Sequence, residues 1–160
     1  MPALIALLVA LQATNVTPAQ WNSVPARFLD YLEGPEGEEE RQVVAILPGD
    51  RRVAVTTGEQ EGGAPSLAAI GFANADSDPT KELIVILRWD IRHYDVEGAM
   101  YDIRILDDPK PGATALAPVE KAQALFESYA CDCNRRDEPP DRAKVKTIAA
   151  VKQVLKRAGY

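Results

Sequence analysis

The stretch that decides the fold is Val85-Ile86-Leu87-Arg88-Trp89-Asp90-Ile91-Arg92-His93, with Tyr101-Asp102-Ile103-Arg104-Ile105 following shortly after it. Its odd positions are Val85, Leu87, Trp89, Ile91 and His93, then Tyr101, Ile103 and Ile105. Its even positions include Arg88, Asp90, Arg92, Asp102 and Arg104. Alternation with period two predicts two strands, each with a dry and a wet face. Val96-Glu97-Gly98 between them offers a three-residue turn with Gly98 in the left-handed position. That register sets Ile91 opposite Ile103 and Trp89 opposite Ile105. It also sets Arg92 opposite Asp102 and Asp90 opposite Arg104, two opposite-charge pairs worth about 0.2–1 kcal/mol each. A slip of one residue turns the charges inward.

Working outward, residues 43–47 and 51–57 read as a hairpin around the turn Pro48-Gly49-Asp50, and 66–73 as a further strand, the alternative being a short helix. Upstream, Thr17-Pro18-Ala19-Gln20 has the form of a capping box with proline at the first helical position. Residues 25–33 then read as a helix whose apolar surface is Phe28, Leu29, Tyr31 and Leu32, stopped by Gly34-Pro35. Downstream, Asp107-Asp108-Pro109 ends the sheet. A helix is expected over 119–133, and a last one from a cap at Asp141 to Ala158, with Gly159 as its stop. Residues 3–11 are an unbroken apolar run, shorter than the roughly 20 residues that span a bilayer. Residues 1–13 are expected to form a buried helix, the alternative being a signal peptide. The expected fold is α+β: a mostly antiparallel sheet of about five strands, with the N-terminal helix and two C-terminal helices packed on it, in a single domain over residues 1–160.

Charge is unevenly distributed. The chain of 160 residues has net charge −6, yet residues 1–80 hold four bases against eleven acids. The last nineteen residues hold six bases and no acid. An acidic chain is a poor general binder of nucleic acid, so no specific nucleic acid is expected as partner. The basic arc Arg142, Lys146, Lys152, Lys156 and Arg157 and the acidic loop with Glu38, Glu39 and Glu40 are the candidate interaction residues.

Candidate chemistry is sparse. The single histidine, His93, is expected beside Tyr101 as a structural residue. On a helix, Cys131 and Cys133 point apart and neither bond nor clamp a metal. Asp76-Ser77-Asp78 begins like a calcium loop but lacks the acid and glycine that should follow. Asp107-Asp108 lies at a strand end, where acids can bind a metal or simply form a turn. Gly58, Gly62 and Gly63 surround glutamates, which repel phosphate, and have no Gly-Lys-Ser/Thr, which argues against a nucleotide loop. No catalytic residue and no cofactor is assigned.

These features suggest a non-catalytic interaction or assembly subunit, a homo-oligomer or part of a larger assembly whose basic and acidic ends meet head to tail. Small α+β subunits of phage head–tail and tail assemblies offer an analogy at the level of fold alone. The alternatives are a small acidic immunity or inhibitor protein that covers a basic partner, an exported bacterial protein, and a metal enzyme that uses Asp107 and Asp108.

Overall fold

The computed structural model describes residues 14–160, so the expected helix or signal peptide over 1–13 lies outside the described residues. Two four-stranded antiparallel meanders account for most of the chain. Sheet A consists of β1 (Asn15–Trp21), β2 (Val24–Glu33), β3 (Glu40–Leu47) and β4 (Arg51–Gly58), in that order. Sheet B consists of β5 (Ser66–Ala73), β6 (Glu82–Arg92), β7 (Val96–Leu106) and β8 (Ala130–Arg135). Two short helices, α1 (Glu120–Gln123) and α2 (Ile148–Arg157), complete the described chain. No helix among the described residues is long and apolar enough to cross a membrane.

Among the described residues, this overturns the expected α+β fold of one five-stranded sheet with helices packed on it. Residues 25–33 are a strand, because Ala26, Phe28 and Asp30 alternate inward. The buried Asp30 disguises the period: with a charge at an inward position, the remaining apolar residues fall at helical spacing. Thr17 and Pro18 sit in edge strand β1, where a proline costs no ladder bond. Asn22 and Ser23, both at positive φ (49° and 65°), close a two-residue hairpin between Trp21 and Val24. Residues 119–133 are not one helix, because Tyr129 takes φ 52° and the chain then runs extended as β8. The last helix is capped by Thr147, whose side chain accepts from the Ala150 amide. Asp141 instead exchanges backbone hydrogen bonds with Cys133 and pairs with Arg135 at 2.8 Å.

The layers follow from the side chains. Trp21, Phe28, Val43, Ala45, Leu47, Val53 and Val55 of sheet A meet Leu83, Val85, Leu87 and Trp89 of β6. On the other face of sheet B, Ile84, Ile86, Ile103 and Ile105 meet Ala122, Phe126, Val151 and Leu155. Strand β6 is therefore central, and all five residues from Leu83 to Leu87 are fully buried. A strand buried on both faces reads as a continuous apolar run, which is what Leu83-Ile84-Val85-Ile86-Leu87 is.

The β6–β7 hairpin exists, but in a different register. Arg92 pairs with Glu97, Trp89 with Met100, Leu87 with Asp102 and Val85 with Arg104. The turn is formed by His93–Val96, with the His93 amide bonded to the Val96 carbonyl. The displacement carries Asp102 and Arg104 to the face that meets sheet A. Gly98 serves strand approach rather than the turn: its φ is 147°, and a Cβ there would lie 2.8 Å from Cys133 Cα and against the Asp132 carbonyl.

Candidate functional site

Two acidic segments far apart in sequence converge at one end of sheet B. Residues 74–81 connect β5 to β6 through successive turns in which the Asp76 carboxylate accepts from the Asp78 amide and the Asp78 carboxylate from the Thr80 amide, each at 2.8 Å. Such side-chain-to-backbone turns are what short acidic side chains favour. Glu82 opens β6, and Asp107 follows the last residue of β7. Asp76, Asp78, Glu82 and Asp107 each offer one carboxylate oxygen, and these oxygens all lie within 4.8 Å of one another. This set could hold a metal ion.

Glu82 is 0% exposed. Its Oε2 accepts from the Ala75 amide, while Oε1 has no hydrogen-bond partner. Burial pushes its carboxyl up to about 7, against the pull of the Ala75 amide, and the charges of Asp76 and Asp78 push the same way. Asp107 is also raised, by burial and by the hydrogen bond it shares with Asp108. Asp108 differs. Burial acts to raise it, but hydrogen bonds from Lys110, Asp107 and Thr80 outweigh that and hold it low. Lys110 reaches Asp108 at 3.1 Å and Asp107 at 3.3 Å. No ion pair among the described residues includes Asp76, Asp78 or Glu82.

The sequence singled out Asp76, Asp78, Asp107 and Asp108 separately but missed Glu82. Its legible trace is Asp76-x-Asp78-x-Thr80-x-Glu82, with oxygen-bearing side chains at alternate positions. A strand start placed at Val85 hid it.

The candidate interaction residues divide into two groups. Arg142 and Lys146 precede α2 and are both engaged by Asp132, Arg142 at 3.6 Å and Lys146 by direct hydrogen bond. Lys152, Lys156 and Arg157 are exposed on α2 and belong to no ion pair among the described residues. In the connection between β2 and β3, Glu38 is exposed, Glu39 accepts from the Gly37 amide at 2.8 Å, and Glu40 begins β3 opposite Glu33. No ion pair among the described residues joins this connection to α2.

Two further groups depart from the sequence reading. Cys131 and Cys133 are disulfide-bonded, because alternate residues of strand β8 share a face. His93 is exposed in the β6–β7 turn, whereas Tyr101 pairs with Arg88 and Ala130. Comparison with known proteins adds nothing to these observations: no protein-family model, no curated protein and no solved structure matches the chain.

Proposed function

We propose that the chain is a non-catalytic interaction module that associates with further copies of itself through α2 and the β2–β3 connection. The observation that carries this reading is the gathering of unpaired charge of opposite sign on two separate elements, although Arg51, Arg52, Lys81, Arg92, Lys121, Arg136 and Lys144 also form no ion pair among the described residues. Arg27, Arg41, Arg88, Arg104, Lys110, Arg135, Arg142 and Lys146 all hold acidic partners within the chain. Lys152, Lys156 and Arg157 hold none among the described residues, and neither do Glu36, Glu38 and Glu39. The cations sit on a helix that covers the face of sheet B turned away from sheet A, and the acids on a turn of sheet A. Surfaces of opposite sign on different layers favour head-to-tail contact between copies. The phage-subunit analogy rested on the α+β outline and lapses with it.

Light scattering coupled to size exclusion at low and high salt tests the proposal. The expected result is an oligomer that loosens as salt screens the contact and that Lys152→Glu with Lys156→Glu and Arg157→Glu reduces to monomer. A monomer at both salts overturns it and favours the inhibitor alternative.

A second reading concerns compartment. The Cys131–Cys133 bond favours export over the cytoplasm, because disulfides persist in oxidising compartments. Thiol counting on protein taken directly from the source compartment tests it: two free thiols would sink this reading.

A further inference from the structure

We propose that Asp76, Asp78, Glu82 and Asp107 form a calcium site, which ties the β5–β6 connection to the adjacent ends of β6 and β7. The inference is independent of self-association.

The donor chemistry comes first. All four donors are carboxylate oxygens, with no histidine or cysteine in the group. An all-oxygen set selects hard cations, calcium, magnesium or manganese, over zinc or copper. The number of carboxylates, within the reach of one ion, then narrows the choice. Calcium binds oxygen at about 2.3–2.6 Å, so oxygens on opposite sides of one ion stand about 4.6–5.2 Å apart. Magnesium, at about 2.0–2.1 Å, limits that span to about 4.2 Å. The four oxygens lie within 4.8 Å of one another, inside the reach of a single calcium ion. Magnesium also keeps several waters and takes one or two carboxylates, whereas calcium accepts many in irregular geometry.

Clustered acids alone would not make a site, since exposed acids gather at many turns. The deciding observation is Glu82, a fully buried side chain within this group whose Oε1 meets no donor. A buried polar atom without a partner is costly, and nearly all such atoms in folded proteins are satisfied. Every other side chain in the group is itself an acceptor when ionised. A cation is the partner that satisfies them together. Neighbouring donors do not reach Glu82 Oε1: Lys110 bonds Asp107 and Asp108, and the Thr80 hydroxyl donates to Asp78 and Asp108.

The surrounding contacts explain what an ion would hold. The Lys81 carbonyl accepts from the Trp21 indole at 2.7 Å and from Asn22 at 3.1 Å, and the Lys81 amide donates to Asn22 at 2.8 Å. The connection that supplies Asp76 and Asp78 is therefore already fastened to the β1–β2 turn. A bound ion would fasten it to β6 and β7 as well, so both sheets would gain from occupancy.

The test uses the full chain freed of metal by a chelating resin. Calorimetric titration with calcium chloride is expected to give one site per chain. Calcium at a hundredfold excess over Kd should raise Tm by about 5–10 °C, and magnesium at the same concentration by clearly less. Terbium bound at the site should luminesce on excitation of Trp21, whose indole is bonded to the residue beside Glu82. Glu82→Gln and Asp76→Asn should each weaken calcium binding at least tenfold, while Asp90→Asn, at an exposed position on β6, should leave it unchanged. The titration of the parent chain stands whether or not a variant folds. No heat and no calcium-dependent shift in Tm overturns the site. Equal response to magnesium overturns the choice of calcium, and unchanged binding in Glu82→Gln overturns the ligand set.

Discussion

Glu82 and Asp107 are neighbours at the ends of β6 and β7, one step beyond the last register pair, Leu83 and Leu106. By alternation they share the sheet face of Ile84 and Ile105, which packs against the helices. Like charges placed opposite each other weaken a sheet, and here one of the two is fully buried. The ends of β6 and β7 that carry the pair are deeply buried, so the pair is held in place by its own strands. The charge must be relieved by a proton or by a cation.

The proton makes the first prediction. The Glu82 carboxyl stands near 7 in the folded chain against an ordinary value of 4.5. Between those values the folded state holds a proton that the unfolded chain has released. Unfolding free energy therefore falls as pH rises across that window and levels off above it. Asp76, Asp78 and Asp107 surround the group, and Asp108 and Lys110 stand beyond them. Glu82→Gln removes the titration. Urea unfolding in chelator should show the parent losing stability from pH 5 to pH 8 and the variant losing much less, with the variant the more stable at pH 8. Equal slopes in the two proteins would refute the assignment.

Arg104 makes the second. Its guanidinium lies between the sheets, 16% exposed, with Asp102 at 2.9 Å, Glu59 at 2.8 Å, Thr56 Oγ1 at 2.6 Å and the Thr57 carbonyl also in contact. Burial works against its charge, but the hydrogen bonds to Glu59 and Asp102 more than restore it. The Tyr129 amide completes Asp102 at 3.2 Å. Arg104→Ala leaves Asp102 buried without a cation, and such breaks cost about 3–5 kcal/mol. Arg104→Met combined with Asp102→Leu removes both charges and should recover much of that loss. Urea denaturation of the three proteins checks it. A double variant as unstable as Arg104→Ala would show that the ion pair is not the source of the cost.

What the sequence made legible were features that depend on pattern alone. The strands over 43–47, 51–57 and 66–73 and the alternation after Val85 all survive as elements. What it concealed were inward charges. Asp30, held by Arg41 at 3.3 Å, made β2 resemble a helix, and Asp102 with Arg104 made a wrong hairpin register look favourable. Both errors assume that charge points outward, and both fail where an ion pair compensates an inward charge, across strands for Asp30 and Arg41 and within β7 for Asp102 and Arg104. The acidic site was half legible for a related reason. Its pieces lie at opposite ends of a hairpin, and only pairing at the correct register brings Asp107 beside Glu82.

Gly98 makes the third prediction, because the two hairpin registers assign it different work. As a turn glycine, its replacement by alanine would cost about 1 kcal/mol of left-handed strain. In the structure it stands between Ile91 of β6 and Cys133 of β8. A Cβ there meets the Asp132 carbonyl and approaches Cys133 Cα to 2.8 Å. Gly98→Ala must therefore push β8 off the sheet as well as strain the backbone, and should cost roughly 3 kcal/mol or more. The damage should be local. Hydrogen exchange should show lost protection at the β8 amides, including Cys133, while Ile84 to Leu87 in the centre of β6 stay protected. A cost near 1 kcal/mol with β8 still protected would overturn the close approach of β7 and β8.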